Sequence, residues 1–137
     1  MTHPRPAHTI GPTRRMRRRS ADGQATVELA LAFPLVCIFL LGVVQITLVA
    51  RDAIAVVHSA REGARAAAVA ASPAGAATNA VLRAGGLEAG RLTTLTMVSG
   101  DTVRVTVRYR APTDVPLVGA LVPDVALSAT ATMALEP

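Results

Sequence analysis

Glu28 stands at the edge of a stretch, Leu29 to Ala50, that holds no acidic or basic side chain in 22 residues. A carboxylate so placed costs up to about 3 kcal/mol if carried to the centre of a bilayer and less near its surface, so its position asks for a chemical reason. The residues before it, Gly23-Gln24-Ala25-Thr26-Val27, offer two. Glu28 can sit at the start of a helix, where the positive end of the dipole favours an anion. Alternatively, a cut after Gly23 would create a new amine on Gln24, four residues before the carboxylate. Ammonium and carboxylate then complement each other where either alone is penalised. Cyclisation of an N-terminal Gln24 would remove that charge and weaken the pairing. Both readings of Glu28 stay open on the residues alone.

The apolar stretch must position this group. As a helix, 22 residues rise about 33 Å, close to the hydrocarbon thickness of a membrane. A soluble core helix of that length would need protein on every side, and the rest of the 137-residue chain is too small to supply it. The net charge of +5 lies wholly in the first 23 residues, where Arg5, Arg14, Arg15, Arg17, Arg18 and Arg19 face only Asp22. Basic flanks stay on the cytoplasmic side, which predicts a single span in the cytoplasmic membrane, its N-terminus inside and everything after Arg51 outside. The remainder is neutral, eight Arg against eight acidic residues, so no basic face is expected there and nucleic acid is not an expected partner. Phe33, Phe39 and Tyr109 are the only aromatics and provide no stacking platform.

Rival uses of the segment fit less well. Ala53-Ile54-Ala55 resembles a signal-peptidase site, which would release a soluble protein, but the apolar run exceeds the usual signal core of about 7–15 residues. Pro34-Leu35-Val36 before Cys37 is not a lipobox, and Thr13-Arg14-Arg15 is simplest as part of the basic flank.

Beyond the span the helical period continues. Ile54, Val57, Ala60, Ala64, Ala67 and Ala71 are expected to form a small-residue stripe, with Asp52, Ser59, Arg61, Glu62 and Arg65 on the polar side. Gly63 weakens the helix by about 1 kcal/mol relative to Ala. One helix is expected from Ala25 to Ala71, ended by Ser72-Pro73-Ala74-Gly75, with a short helix over Ala76–Ala84 closed by Gly85-Gly86. The period then becomes two. Leu92–Ser99 and Thr102–Arg110 read as a hairpin about Gly100-Asp101, and Val125 to Met133 alternates as a third strand. Three strands need cover for their apolar face, and the outer half of the long helix is the large surface on offer. The expected organisation is a basic leader (1–23), a long helix (24–72, span about 29–50) and a small extracytoplasmic domain (73–137). The fold class is α+β.

The basic leader, Gly23, Glu28 five positions on, and the long apolar helix resemble type IV prepilins and pseudopilins. With Ala60-Arg61-Glu62-Gly63-Ala64-Arg65-Ala66-Ala67, the resemblance narrows to the TadE-like minor pilins of the Tad (Flp-type) pilus, and it extends through Val107-Arg108-Tyr109-Arg110-Ala111-Pro112 to the C-terminus. Leu29 departs from the pattern, since many Tad-type substrates carry Tyr after the Glu. The resemblance implies a pilin-like fold and a substrate of a prepilin peptidase, cut between Gly23 and Gln24. It implies Glu28 paired with the Gln24 amine of its own or a neighbouring subunit, other pilin or TadE-like subunits as partners, and a part in pilus assembly and adherence. The alternative is an uncleaved, membrane-anchored module binding an envelope partner.

Arg61, Glu62 and Arg65 are spaced as a salt-bridged helix face or, on the resemblance, as a subunit contact. Gln45 and Thr47 either bond a neighbouring helix or lie near the outer interface. Pro34 reads as a tolerated kink, Cys37 as a packing residue, and the apolar loop Val115 to Val122 as core lid or exposed patch. His3, His8 and His58 are scattered, one cysteine makes no metal knuckle, and no nucleophile or phosphate-binding motif is present. No enzymatic activity, metal, cofactor or small-molecule substrate is expected.

Overall fold

The computed structural model describes residues 15–117, 119–120 and 122–136, with side chains from Gly23 onward. It divides into two compact units, one ending at Cys37 and one beginning at Ile38.

Helix α1 (Arg15–Ala68) is a single α-helix that passes through Pro34. It starts ten residues before the expected Ala25. Arg and Ala favour helix, and one glycine, Gly23, costs only about 1 kcal/mol, too little to stop it. At its far end the Glu136 N–H donates to the Ala68 carbonyl at 3.0 Å, satisfying one of the last-turn acceptors. Helix α2 (Pro73–Ala84) starts earlier than Ala76 because Ser72-Pro73 both closes one helix and opens the next. Pro73 takes a first-turn position where its missing N–H is no loss, and the Ala76 N–H reaches the Ser72 carbonyl at 3.1 Å.

After a short 3₁₀ turn (Ala89–Arg91) come β1 (Leu92–Ser99), β2 (Thr102–Ala111) and β3 (Val125–Ala134). They form one antiparallel sheet in the order β1-β2-β3, the expected three-stranded arrangement. Ser99 pairs with Thr102 across Gly100-Asp101, and Gly100 has φ +55°, the left-handed conformation that a two-residue hairpin demands and glycine adopts without cost. Val103, Val105, Val107, Tyr109 and Ala111 of β2 are buried, while Arg104, Arg108 and Arg110 alternate with them on the exposed face.

On the edge strand β1 the pattern is reversed. Register sets Thr94 opposite Val107 and Thr96 opposite Val105, so threonines line the covered face, and Leu95 and Met97 lie exposed on the other. The Thr94 hydroxyl is buried with no hydrogen-bond partner.

The sheet is covered by both helices. Val56, Ser59, Ala60, Gly63, Ala64, Ala67 and Ala68 of α1 are buried, together with Ala77 and Val81 of α2. This corrects the expected stripe. Ile54 is 72% exposed and Val57 is also exposed, whereas Ser59, assigned to the polar side, is fully buried. Ser59 tolerates burial because its hydroxyl donates to the Ala55 carbonyl at 2.8 Å. Gly63 sets the spacing. A Cβ there would lie 2.7 Å from Val81 Cγ2 and 3.2 Å from Val105 Cγ1, so the bare backbone lets α1, α2 and β2 meet. The helix propensity lost at Gly63 is offset by that contact.

Candidate functional site

Glu28 is the fourteenth residue of α1, far from its first turn. The dipole effect fades within one turn of a helix end, so the capping explanation of this carboxylate does not hold in the intact chain. Gln24 and Glu28, four residues apart, share one side of the helix, and Gln24 Nε2 donates to Glu28 Oε1 at 3.2 Å. The partner of the carboxylate is thus a neutral amide. Around this pair Val27, Leu29 and Leu31 are exposed, and the exposed apolar surface continues through Phe33, Leu35 and Phe39. Among the described residues, α1 is the one helix long and apolar enough to cross a membrane, and its most apolar portion is almost wholly uncovered by protein. An aqueous surface of that kind is far larger than soluble monomers carry, which points to single-pass membrane anchoring.

The segment from Gly23 to Arg65 matches the family described as TadE-like protein. Over that segment, 43 of the 137 residues, the chain is similar to TadE-like proteins. The match holds both the Gly23–Glu28 motif and Arg61-Glu62-Gly63-Ala64-Arg65, and it leaves α2 and the sheet outside it, narrower than the resemblance read to the C-terminus. No curated protein and no solved structure matches the chain. That similarity points to a pilin-like component, and the apolar helix to association with a membrane.

Arg61, Glu62 and Arg65, at the end of the matched segment, do not act as a unit. Glu62 and Arg65 line a surface cleft of about 390 Å³ with Arg83 of α2, whereas Arg61 borders a different one with Ile54, Val57 and His58. The salt-bridged face expected of them is absent, because both ion pairs among the described residues belong to Arg91.

Arg91 is the organising residue that sequence reasoning missed. Its Nε donates to Glu88 Oε2 at 3.0 Å and its Nη1 to Asp124 Oδ2 at 2.9 Å. Asp124 Oδ1 also accepts the Thr113 N–H at 3.2 Å, and Thr113 Oγ1 donates to the Pro123 carbonyl at 3.2 Å. Partial desolvation pulls the Arg91 pKa down, but the carboxylates of Asp124, Glu88 and Asp114 outweigh it and the net shift is upward. This clamp fixes the two ends of the loop between β2 and β3. Arg91 and Asp124 are 33 residues apart, and no local pattern signals their pairing.

Gln45 is the second long-range polar contact. It is 6% exposed, and Nε2 donates to the Pro112 carbonyl at 3.2 Å, so its partner is this chain's own loop rather than a neighbouring helix. Its Oε1 is buried without a partner. Thr47 bonds within its own helix, donating to the Val43 carbonyl at 2.9 Å. Burial, followed by the charge of Asp52, raises the pKa of the Tyr109 phenol.

Charge accounting by sequence also missed a face. Arg104, Arg108 and Arg110 are exposed on one side of β2, opposite Met97, Thr93, Thr132, Ser128 and Ala126, with no acidic residue in register. The neutral sum hid a cationic strip because the acidic residues lie elsewhere. Among the described residues, no group of three or more His, Cys, Asp or Glu side chains gathers to hold a metal.

Proposed function

We propose that the chain is a prepilin-type substrate cut after Gly23 by a prepilin peptidase on the cytoplasmic side of the membrane. It then serves as a minor pilin or pseudopilin in a Tad pilus, where it contributes to assembly and adherence. The observation that carries this reading is the placement of Gln24 and Glu28. They share one helix side at the edge of an exposed apolar run, inside the matched segment, and among the described residues the carboxylate's hydrogen-bond partner is a neutral amide. Cleavage would replace that weak partner with the charged amine of the same residue or of an adjacent subunit. A charge-assisted hydrogen bond is roughly twice as strong as a neutral one, and in lipid it is the one contact that satisfies both ions. Subunits sliding along the membrane normal would therefore stop where Glu28 finds an amine. The leader takes all of the net charge with it, leaving Gln24–Pro137 balanced. On this reading the N-terminus faces the cytoplasm, residues 73–137 lie outside, and Arg61, Glu62 and Arg65 are contacts to other subunits.

N-terminal mass analysis of the membrane-extracted protein tests the proposal. A mature start at Gln24 is the expected result. An intact leader favours an uncleaved anchor, and a soluble species starting near Val56 rejects both. In cleaved protein, Glu28→Gln should leave processing intact and cut incorporation into pili at least about tenfold, the equivalent of 1.4 kcal/mol. Undiminished incorporation would reject the pairing.

A further inference from the structure

The loop between β2 and β3 is apolar at its tip and polar at its base. Its base is the clamp of Thr113, Pro123, Asp124 and Arg91 described above. Toward the tip the chain turns tightly. The Gly119 N–H donates to the Val115 carbonyl at 2.8 Å, and a Cβ on Gly119 would overlap the Thr113 carbonyl, so only glycine lets the loop close on itself. Leu117 is 62% exposed and has φ +69°, a conformation that bulky residues avoid. Val122 is exposed as well, and Val118 and Leu121 make the sequence of the tip apolar throughout. A pinned loop that displays strained, exposed leucine to water has no folding rationale.

The position of the loop along α1 supplies one. Pro112, at its start, is bonded to Gln45, and Gln45 lies inside the uncharged run that ends at Ala50. At that level the rest of the helix circumference is bare and apolar, with Ile46 70% exposed and Val43, Val44 and Leu48 exposed too. Leu41 and Gly42, one turn earlier, are half-buried. If the bilayer stopped below Gln45, only the sixteen residues Leu29–Val44 would remain for the hydrocarbon, short of the roughly 20 a helical span needs. The first charge after the run is Arg51, six residues or about 9 Å beyond Gln45. Lipid must therefore reach the level of Gln45, and the loop beside it.

Irregular backbone at that depth is tolerated only when its polar groups are satisfied. At the start of the loop the bond from Gln45 satisfies the Pro112 carbonyl, whose residue has no N–H to satisfy. We infer that Leu117 and Val122, the described apolar residues of this loop that lie exposed, seat in the boundary between headgroups and acyl chains of the outer leaflet, against lipid. Apolar groups of membrane-surface segments sit about 5–10 Å into that boundary, which matches the distance from Arg51 back to Gln45. The loop is then a second membrane contact, one that fixes how far the small domain stands from the bilayer. This inference rests on the reading of α1 as a membrane span.

The test uses the full chain in two sets of phosphatidylcholine–phosphatidylglycerol vesicles, whose labelled lipids carry a nitroxide near the top of the acyl chain for the loop and near its end for Cys37. An environment-sensitive fluorophore is attached at Leu117→Cys, Val122→Cys or Ser128→Cys, each with Cys37→Ser, and at the native Cys37 as a span control. Quenching at 117 and 122 should exceed that at exposed Ser128, on the sheet, by about three-fold, with blue-shifted emission. If Cys37 is quenched and positions 117 and 122 behave like 128, the loop is not in lipid and the inference fails while the span stands. If Cys37 itself is unquenched, the span reading fails and takes the inference with it.

Discussion

Helix α1 contains an uncharged apolar stretch and an amphipathic one, and the apolar side chains of the two meet different surroundings. From Leu29 to Val44 the side chains are large and exposed on almost every side. From Val56 to Ala68 one face is exposed and carries Arg61 and Arg65, while the face formed by Val56, Ala60, Ala64, Ala67 and Ala68, mostly alanine, is buried. Hydrophobicity drives both out of water, but it does not choose the solvent that replaces water. Lipid chains are fluid and conform to bulky Leu and Phe, whereas a sheet and a second helix are rigid and approach only where the helix is narrow. Gly63, in contact distance of both Val81 and Val105, is the narrowest point. Polarity separates the two halves, apolar all round against apolar on one face, and small side chains on that face fit the second half to protein.

That contrast can be broken by exchanging the two kinds of damage. Leu35→Arg places a charge in the lipid-facing stretch and should oppose insertion by about 3 kcal/mol. Alkaline extraction of membranes would then release the variant, while the Tm of the Ile38–Pro137 unit in detergent stays unchanged. Gly63→Leu places bulk in the protein-facing stretch. Overpacking against Val81 and Val105 should cost about 2 kcal/mol of folding stability, read by chemical denaturation in detergent, with insertion unaffected. If either variant produced the other's phenotype, the division of labour along α1 would be wrong.

Two smaller effects sharpen the description of the protein-facing side. Thr94→Val keeps the shape and removes a buried hydroxyl that has no partner, so it should stabilise the fold by about 1 kcal/mol. Tyr109 is the single tyrosine, and its phenol pKa is raised in the fold by burial and by Asp52. Above pH 10 the unfolded chain loses this proton first, so stability should fall as pH rises from 10 through the folded value. Ultraviolet titration of the native protein should show phenolate appearing later than in denaturant. Tyr109→Phe should remove that part of the alkaline loss.

Much of the framework was legible along the chain because it depends on local period. The two-residue alternation of Thr102–Ala111, with Gly100-Asp101 before it, defined the hairpin within a residue, and an uncharged run of 22 residues defined the candidate span. Near the candidate site, the motif from Gly23 to Glu28 was legible by residue type, whereas the loss of the capping explanation followed only from a helix that starts at Arg15. The phase of the protein-facing stripe was misread because Ser59 looks polar and Gly63 looks like a helix weakener. Each is instead suited to a buried contact that sequence does not display.

The sequence by itself determined which segments are helix and strand, where the charge lies and which stretch belongs in a membrane, since these follow from periodicity and from the cost of burying charge. Tertiary structure decided which helix face meets the sheet, and that Arg91 with Asp124 and Gln45 with Pro112 pin a loop beside the span. Those pairs are 33 and 67 residues apart, and contacts at such separation are chosen by the shape of the packed core, which no local pattern encodes.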